Sequence, residues 1–241
     1  MRLLLINTNT SESITELVVA SARGIAAPST EISGVTARFG MRYIGTRTAF
    51  AIAGHAALDA YAAYGADADA IVLACFGDPG LAALQEIAAV PVVGMAEAAC
   101  REAATRGRFA IVTGGTRWIP MLTEYMAMLE LTEWFAGVHA VAPTGAEIAA
   151  DPEGSVALLA EACETAARTF GADIVVLGGA GLAAIAPRVA AAVSVPVIDG
   201  LAAAVHAAER AAAVANNRVA PLPDMPPSIG LSEELKALFK T

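Results

Sequence analysis

Short, continuous apolar runs rich in β-branched residues alternate along the chain with longer alanine-rich stretches. The runs Arg2–Ile6, Ile32–Ala37, Ala70–Ala74, Val90–Val93, Phe109–Thr113, Val138–Val141, Ile174–Leu177 and Val195–Ile198 read as strands. They lack polar alternation, which suits strands covered on both faces, as in parallel sheets. The segments Thr46–Gly65, Pro79–Ala89, Ala96–Arg106, Pro152–Gly171, Leu182–Val193 and Gly200–Ala215 are long enough for crossover helices. This alternation predicts an α/β fold with mainly parallel sheets. Asn216–Ser228 holds four prolines and predicts an irregular connection. It leads to a short helix over Ser232–Phe239, opened by the capping sequence Ser-Glu-Glu.

The pattern also repeats. GADADAIVLACFGDPGLAALQEIAAVPVVGMAEAA, from Gly65, is similar to GADIVVLGGAGLAAIAPRVAAAVSVPVIDGLAAAV, from Gly171. Aligning Asp69 with Asp173 sets Ala70–Ala74 on Ile174–Gly178 and Cys75 on Gly179. Gly-Leu-Ala and then Pro-Val follow in both copies. Alanine-rich βαβ units resemble one another in any case, but this shared order favours duplication. Two pseudo-symmetric lobes are expected, residues 1–97 and 98–207, with the tail from about 208 to 241 packing back on the first. A cleft between them would be walled by the carboxyl ends of the strands, where open α/β sheets bind ligands.

Composition narrows the function. Mean hydropathy is high at +0.59, but alanine inflates it. The longest apolar stretches, such as Ile174–Pro187, are cut by Asp173 and Arg188, short of the roughly 18 residues of a spanning helix. The N-terminus turns polar at Asn7, too early for a secretory signal. A soluble, cytoplasmic protein without a membrane partner is expected. A net charge of −9 argues against nucleic acid. The three cysteines and three histidines are scattered singly, with no disulfide framework and no metal-ligand spacing. Neither a phosphate loop nor a dinucleotide fingerprint is present. Chemistry must rest on few residues.

Cys75 lies between the strand Ile-Val-Leu-Ala and Phe-Gly-Asp-Pro-Gly. Such a junction exposes a side chain at the carboxyl edge of a sheet. A helix starting near Pro79 would lower the thiol pKa through its positive end. The alternative is an inert buried cysteine. Cys100 and Cys163 fall inside helical stretches and read as core. Asn7-Thr8-Asn9-Thr10 ends the first strand, either as a turn with a helix cap or as a hydrogen-bonding rim for a polar ligand. Thr113-Gly114-Gly115-Thr116 is its counterpart in the second lobe. Asp78 either acts beside Cys75 or caps the helix that follows. Glu97, Asp199 and His206 suit solvated or capping roles. Arg42, Tyr43 and Arg47 lie on a connection that reads as surface loop, although an arginine near the cleft could pair with a substrate carboxylate.

The blocks LLINTNTS, ACFGDPGL, PVVGMAEAA, LGGAGLA and PVIDGLAAAV resemble the aspartate/glutamate/hydantoin racemase superfamily, in particular its hydantoin and allantoin racemase branch. The resemblance covers nearly the whole chain. It implies two Rossmann-like lobes, homo-oligomers, a small-molecule substrate and no cofactor. It also implies an active site in which two thiols on opposite substrate faces exchange a proton beside a carbonyl. Cys75 matches the first thiol. The second belongs in Leu-Gly-Cys-Ala-Gly, where this chain has Gly179, and Thr8 replaces the proline of the family's Ile-Asn-Pro-Asn. The implied substrate-binding residues are Asn7, Asn9, Thr10, Tyr43, Phe76, Gly77, Thr113, Gly114, Gly179, Ala180 and Gly181.

Racemisation by two bases needs a group on each face of the reacting carbon, and glycine supplies none. Another group or a water takes the second role, or one proton transfer suffices, as in single-cysteine decarboxylases of the superfamily. Otherwise Cys75 attacks a ring carbonyl or thiocarbonyl as a nucleophile. The expected activity is a cofactor-independent, hydantoin racemase-like reaction on a 5-substituted hydantoin or related cyclic ureide through the Cys75 thiolate. The alternatives are a single-cysteine lyase or hydrolase (decarboxylation, ring hydrolysis or desulfuration) and a non-catalytic small-molecule binding protein.

Overall fold

A computed structural model describes residues 1–215 and 228–239. In chain order the elements begin with β1 (Arg2–Asn7), α1 (Glu12–Ile25), β2 (Glu31–Thr36), α2 (Arg47–Tyr64), β3 (Ala70–Leu73) and α3 (Leu81–Ile87). Next come β4 (Val92–Gly94), α4 (Met95–Ala104), β5 (Phe109–Gly114), α5 (Trp118–Met128), β6 (Phe135–Val141) and α6 (Gly145–Ala150). The chain continues through α7 (Pro152–Phe170), β7 (Ile174–Leu177), α8 (Ala186–Ala191), β8 (Val197–Asp199), α9 (Gly200–Val214) and α10 (Glu233–Ala237). The irregular connection expected over Asn216–Ser228 lies, apart from Ser228, outside the described residues. Among those residues, no helix is long and apolar enough to cross a membrane.

The strands form two four-stranded, all-parallel sheets with the same order, β2-β1-β3-β4 and β6-β5-β7-β8. The repeated residues make the same bonds in both. Asp69 accepts from the Arg2 backbone N–H at 2.7 Å, and Asp173 accepts from that of Arg108 at 2.9 Å. Each aspartate thereby pins the start of its third strand to the residue opening the sheet. Ile71 N–H donates to the Pro91 carbonyl and Val175 N–H to that of Pro196. The likeness between the two halves is therefore one of hydrogen-bond register as well as of composition.

Alternation sorts each central strand between two cores. Leu3, Leu5, Ala70 and Val72, with Phe109, Ile111, Ile174 and Val176, face a shared core between the sheets. Leu4, Ile6, Ile71 and Leu73 face outward into a cluster with α2 and α3, while Ala110, Val112, Val175 and Leu177 face α7 and α8. Two helices fill the space between the sheets. Helix α4 leaves β4 of the first sheet and packs on β7 and β5 of the second; α9 leaves β8 of the second and packs on β3 and β4 of the first. They also pack on each other. Small residues allow this approach: Ala96, Ala99, Ala103, Ala203, Ala204 and Ala208 are all buried there.

Helices α1, α5 and α6 go beyond the hydropathy pattern. Pro120 makes α5 look broken, yet it sits in the first turn, where a missing N–H costs nothing. Helix α6 is six residues long and carries no periodicity; a capping box of Thr144 and Glu147 starts it. The start expected at Pro79 moves to Leu81, because Asp78 (φ 58°) and Gly80 (φ 84°) both turn through the left-handed region.

Candidate active site

The carboxyl ends of β1, β3, β5 and β7 converge on a cleft between the lobes, enclosing about 560 Å³ including its open mouth. Of the residues expected there, Asn9, Tyr43, Cys75, Phe76, Thr113, Gly114, Gly179, Ala180 and Gly181 line it. Asn7, Thr10 and Gly77 do not. Asn7 is fully buried and builds the turn that presents Asn9: its Nδ2 donates to Asn9 Oδ1, the Ser11 carbonyl and Thr15 Oγ1 at 3.0–3.1 Å. Thr10 N–H donates to the Met41 carbonyl at 3.1 Å, tying the segment that carries Arg42 and Tyr43 to the cleft. Gly77 has φ 112° and lies under Trp118, where a Cβ would stand 2.7 Å from the indole ring.

Cys75 follows β3 and is 8% exposed. The Thr8 hydroxyl, itself buried and without a hydrogen-bond partner among the described residues, is close enough to the thiol to favour its thiolate. Burial wins: it pushes the thiol up to about 12, with the Asp78 charge adding to the rise. This reverses the depressed value expected from a helix at Pro79. That helix begins two residues later, so its end is not placed to compensate.

Asp78 resolves as a cap, but of a different helix. Its buried carboxylate accepts from Ala96 N–H (3.0 Å) and Glu97 N–H (2.7 Å) at the start of α4, and from the Tyr125 hydroxyl (2.8 Å) of α5. Burial raises it to about 7 against those three donors. The Cys75 turn is thus fastened to both lobes. Arg47, weighed as a cleft cation, instead opens α2 and pairs with Glu124 at 2.6 Å on the surface. Cys100 and Cys163 are fully buried in α4 and α7.

Gly179 lies two residues past β7, as Cys75 lies two past β3. Its φ of 147° is a glycine conformation, and a Cβ would stand 2.8 Å from Leu182 Cδ1. The adjacent Gly178 is needed for packing, because the Phe76 ring from the other lobe occupies the place of its side chain and also rests on Gly200. Among the described residues, the N–H groups of Gly179, Ala180 and Gly181 find no backbone acceptor as the short 3₁₀ turn begins, so they are free to donate to a ligand oxygen.

Tyr43 crosses the cleft. Its ring comes from the first lobe, while its hydroxyl faces the Gly114 carbonyl of the second at 3.4 Å. Burial raises the phenol pKa; the Trp118 indole and the Gly145 N–H oppose that rise by favouring the anion, and a Cys75 charge adds to it. Arg42, weighed as a cleft cation, also lines the cleft, and Ile14, Ile44, Ala74, Trp118, Gly145 and Leu182 complete the lining without having been anticipated. For Gly145 the Thr-Gly-Ala-Glu capping spacing was an available signal. For Trp118, held in place by tertiary packing, there was none. No three His, Cys, Asp or Glu side chains converge to hold a metal among the described residues.

Comparison with known proteins agrees with this architecture. The family model described as Asp/Glu/Hydantoin racemase matches residues 3–208. A hydantoin racemase of Paenarthrobacter aurescens is 33% identical over 212 residues, covering 87% of this chain and 90% of that protein. One of Rhizobium meliloti is 37% identical over 142 residues, where the match spans 58% of this chain and 59% of that protein. The structure of allantoin racemase from Klebsiella pneumoniae superposes with a TM-score of 0.87 at 35% identity, covering 99% of this chain and 98% of that one. With its two equivalent parallel sheets and the cleft between them, the chain belongs to the Asp/Glu/hydantoin racemase family.

Proposed function

We propose that this chain is a cofactor-independent enzyme that removes the C5 proton of a 5-substituted hydantoin or related cyclic ureide, with the Cys75 thiolate as base. The observation that carries this reading is the place of Cys75: among the described residues it is the one thiol on the cleft wall, at the carboxyl edge of a central strand. A C5 carbanion beside a carbonyl spreads its charge onto oxygen. The free N–H groups at 179–181 suit that oxyanion, and donors fixed in place before the reaction stabilise developing charge. Asn9 and Thr113 supply polar partners for the ring amides.

A second reading, a one-thiol lyase or hydrolase on a similar ring, is favoured by Gly179, whose backbone is set for glycine. Incubating the protein with hydantoins and allantoin in D₂O distinguishes the two. Deuterium at C5 with loss of optical rotation supports carbon-acid chemistry, whereas ring opening or release of CO₂ or sulfide supports the second reading. Cys75→Ala is expected to abolish net conversion, and retained conversion would remove Cys75 from the mechanism.

A further inference from the structure

Among the described residues lining the cleft, three side chains carry ionisable groups: Cys75, Tyr43 and Arg42. Arginine does not release its proton in proteins. The proton-bearing acids of the cleft are therefore one thiol and one phenol, and they belong to different walls. Cys75 stands on the first lobe beside Thr8. The Tyr43 hydroxyl is carried across to the second lobe, where it faces the Gly114 carbonyl at 3.4 Å. A Cβ at Gly115 would come within 2.9 Å of that oxygen. This wall is continuous with the 179–181 turn: Gly114 abuts Gly145, and Gly145 packs directly on Gly181.

We infer that Tyr43 is the second proton-transfer group, serving the face of the substrate carbon opposite Cys75 in place of a second thiol. The inference rests on the carbon-acid reading above. The Trp118 indole and the Gly145 N–H lie close enough to the phenol to favour its anion against the rise that burial causes. That is the support needed by an oxygen that carries charge for part of a catalytic cycle.

The step balances. The Cys75 thiolate takes the C5 proton; the C–H bond breaks, an S–H bond forms, and the electron pair moves onto the ring carbonyl. When the pair returns to C5, the Tyr43 O–H bond breaks and a new C–H bond forms on the other face. The enzyme then holds a Cys75 thiol and a Tyr43 phenolate, which run the opposite enantiomer back. One negative charge is shared between the two groups, and no further reactant is consumed.

The test separates exchange from inversion. Each enantiomer of 5-methylhydantoin, 5-benzylhydantoin and allantoin is incubated in D₂O with wild type and Tyr43→Phe, following C5 deuterium by mass spectrometry and configuration by circular dichroism. Tyr43→Phe is expected to slow racemisation about 100-fold or more. It should still wash deuterium, with retained configuration, into the enantiomer whose C5–H faces Cys75. Cys75→Ala should give the mirror result, confining residual exchange to the other enantiomer. Racemisation by Tyr43→Phe within about threefold of wild type overturns the assignment. So does a parallel loss of exchange and racemisation, which marks a merely structural hydroxyl, or wild-type exchange without racemisation. Wild type inert toward all three compounds overturns the carbon-acid reading itself, an outcome distinct from failure of Tyr43 alone.

Discussion

The raised thiol of Cys75 makes the reaction rate a titration curve. A thiol near its usual 9.0 is about 1% thiolate at pH 7; one pushed up to about 12 is about 0.001% thiolate. That is about a thousandfold fewer competent molecules, or about 4 kcal/mol at 1.36 kcal/mol per unit. The thiolate fraction then grows tenfold per pH unit across the range in which the protein is handled. The perturbation is therefore pH, and the assay is kcat/KM for hydantoin conversion from pH 6.5 to 9.5, which reports ionisation of the free enzyme. Log kcat/KM should climb with a slope near +1 and gain about 100-fold between pH 7 and 9. Thr8→Val removes the hydroxyl that favours the thiolate. It should slow the reaction about 10- to 100-fold at fixed pH, the value of a hydrogen bond to a charged group, while leaving the slope intact. Mass spectrometry of iodoacetamide-treated protein, scored at Cys75 rather than at Cys100 or Cys163, should follow the same curve. A plateau between pH 8 and 9 would refute the reasoning, because it would mean that burial does not govern this thiol.

Two further outcomes concern stability. Gly179→Cys places a side chain at φ 147° and against Leu182. It should cost about 1–3 kcal/mol, lowering Tm by about 2–10 °C for a chain of this size; an unchanged Tm would show that the turn relaxes freely. Asp59, buried in α2, accepts from Arg38 Nε and Nη2 at 2.8 Å, and this pairing holds its carboxyl below the usual 3.8. Because the folded value is the depressed one, its contribution is complete above about pH 4 and is lost as pH falls through the folded value. Urea midpoints should drop along that limb, and Arg38→Ala should flatten it while lowering stability at neutral pH.

The strands were legible because each lies buried on both faces, which leaves continuous β-branched runs that little else in a globular chain produces. The repeat was legible for a similar reason: Asp69 and Asp173 make the same backbone bond, so the same residue is required at both. The state of Cys75 was not legible. Its expected low pKa depended on a helix starting at Pro79, whereas Asp78 and Gly80 turn through left-handed conformations and delay that start to Leu81. Burial of the thiol, like its partner Thr8, comes with the assembled fold, which no local window contains. Asp78 is the same case at longer range. Its role as a cap could be read from its type, but its partners, α4 and Tyr125, exist only once the lobes are assembled. Tyr43 was placed on a connection that looked like surface; its reach across the cleft depends on Gly115, where a Cβ would stand 2.9 Å from its hydroxyl oxygen.

The exchange of α4 and α9 between the sheets bears on how such a chain arose. Each half sends its last helix away to cover the sheet of the other, so neither half fully encloses its own apolar inner face. A single half, standing alone, would keep α1 or α5 on part of that face but would lose the cover that the other half's last helix gives to β3 and β4, or to β5 and β7. Two identical copies would cover one another by trading helices across a two-fold axis. Duplication and fusion of such a copy converts a swapped dimer into one chain and allows its two walls to diverge. The two walls of this cleft do differ: Cys75 stands two residues past β3, and Gly179 stands at the equivalent place past β7.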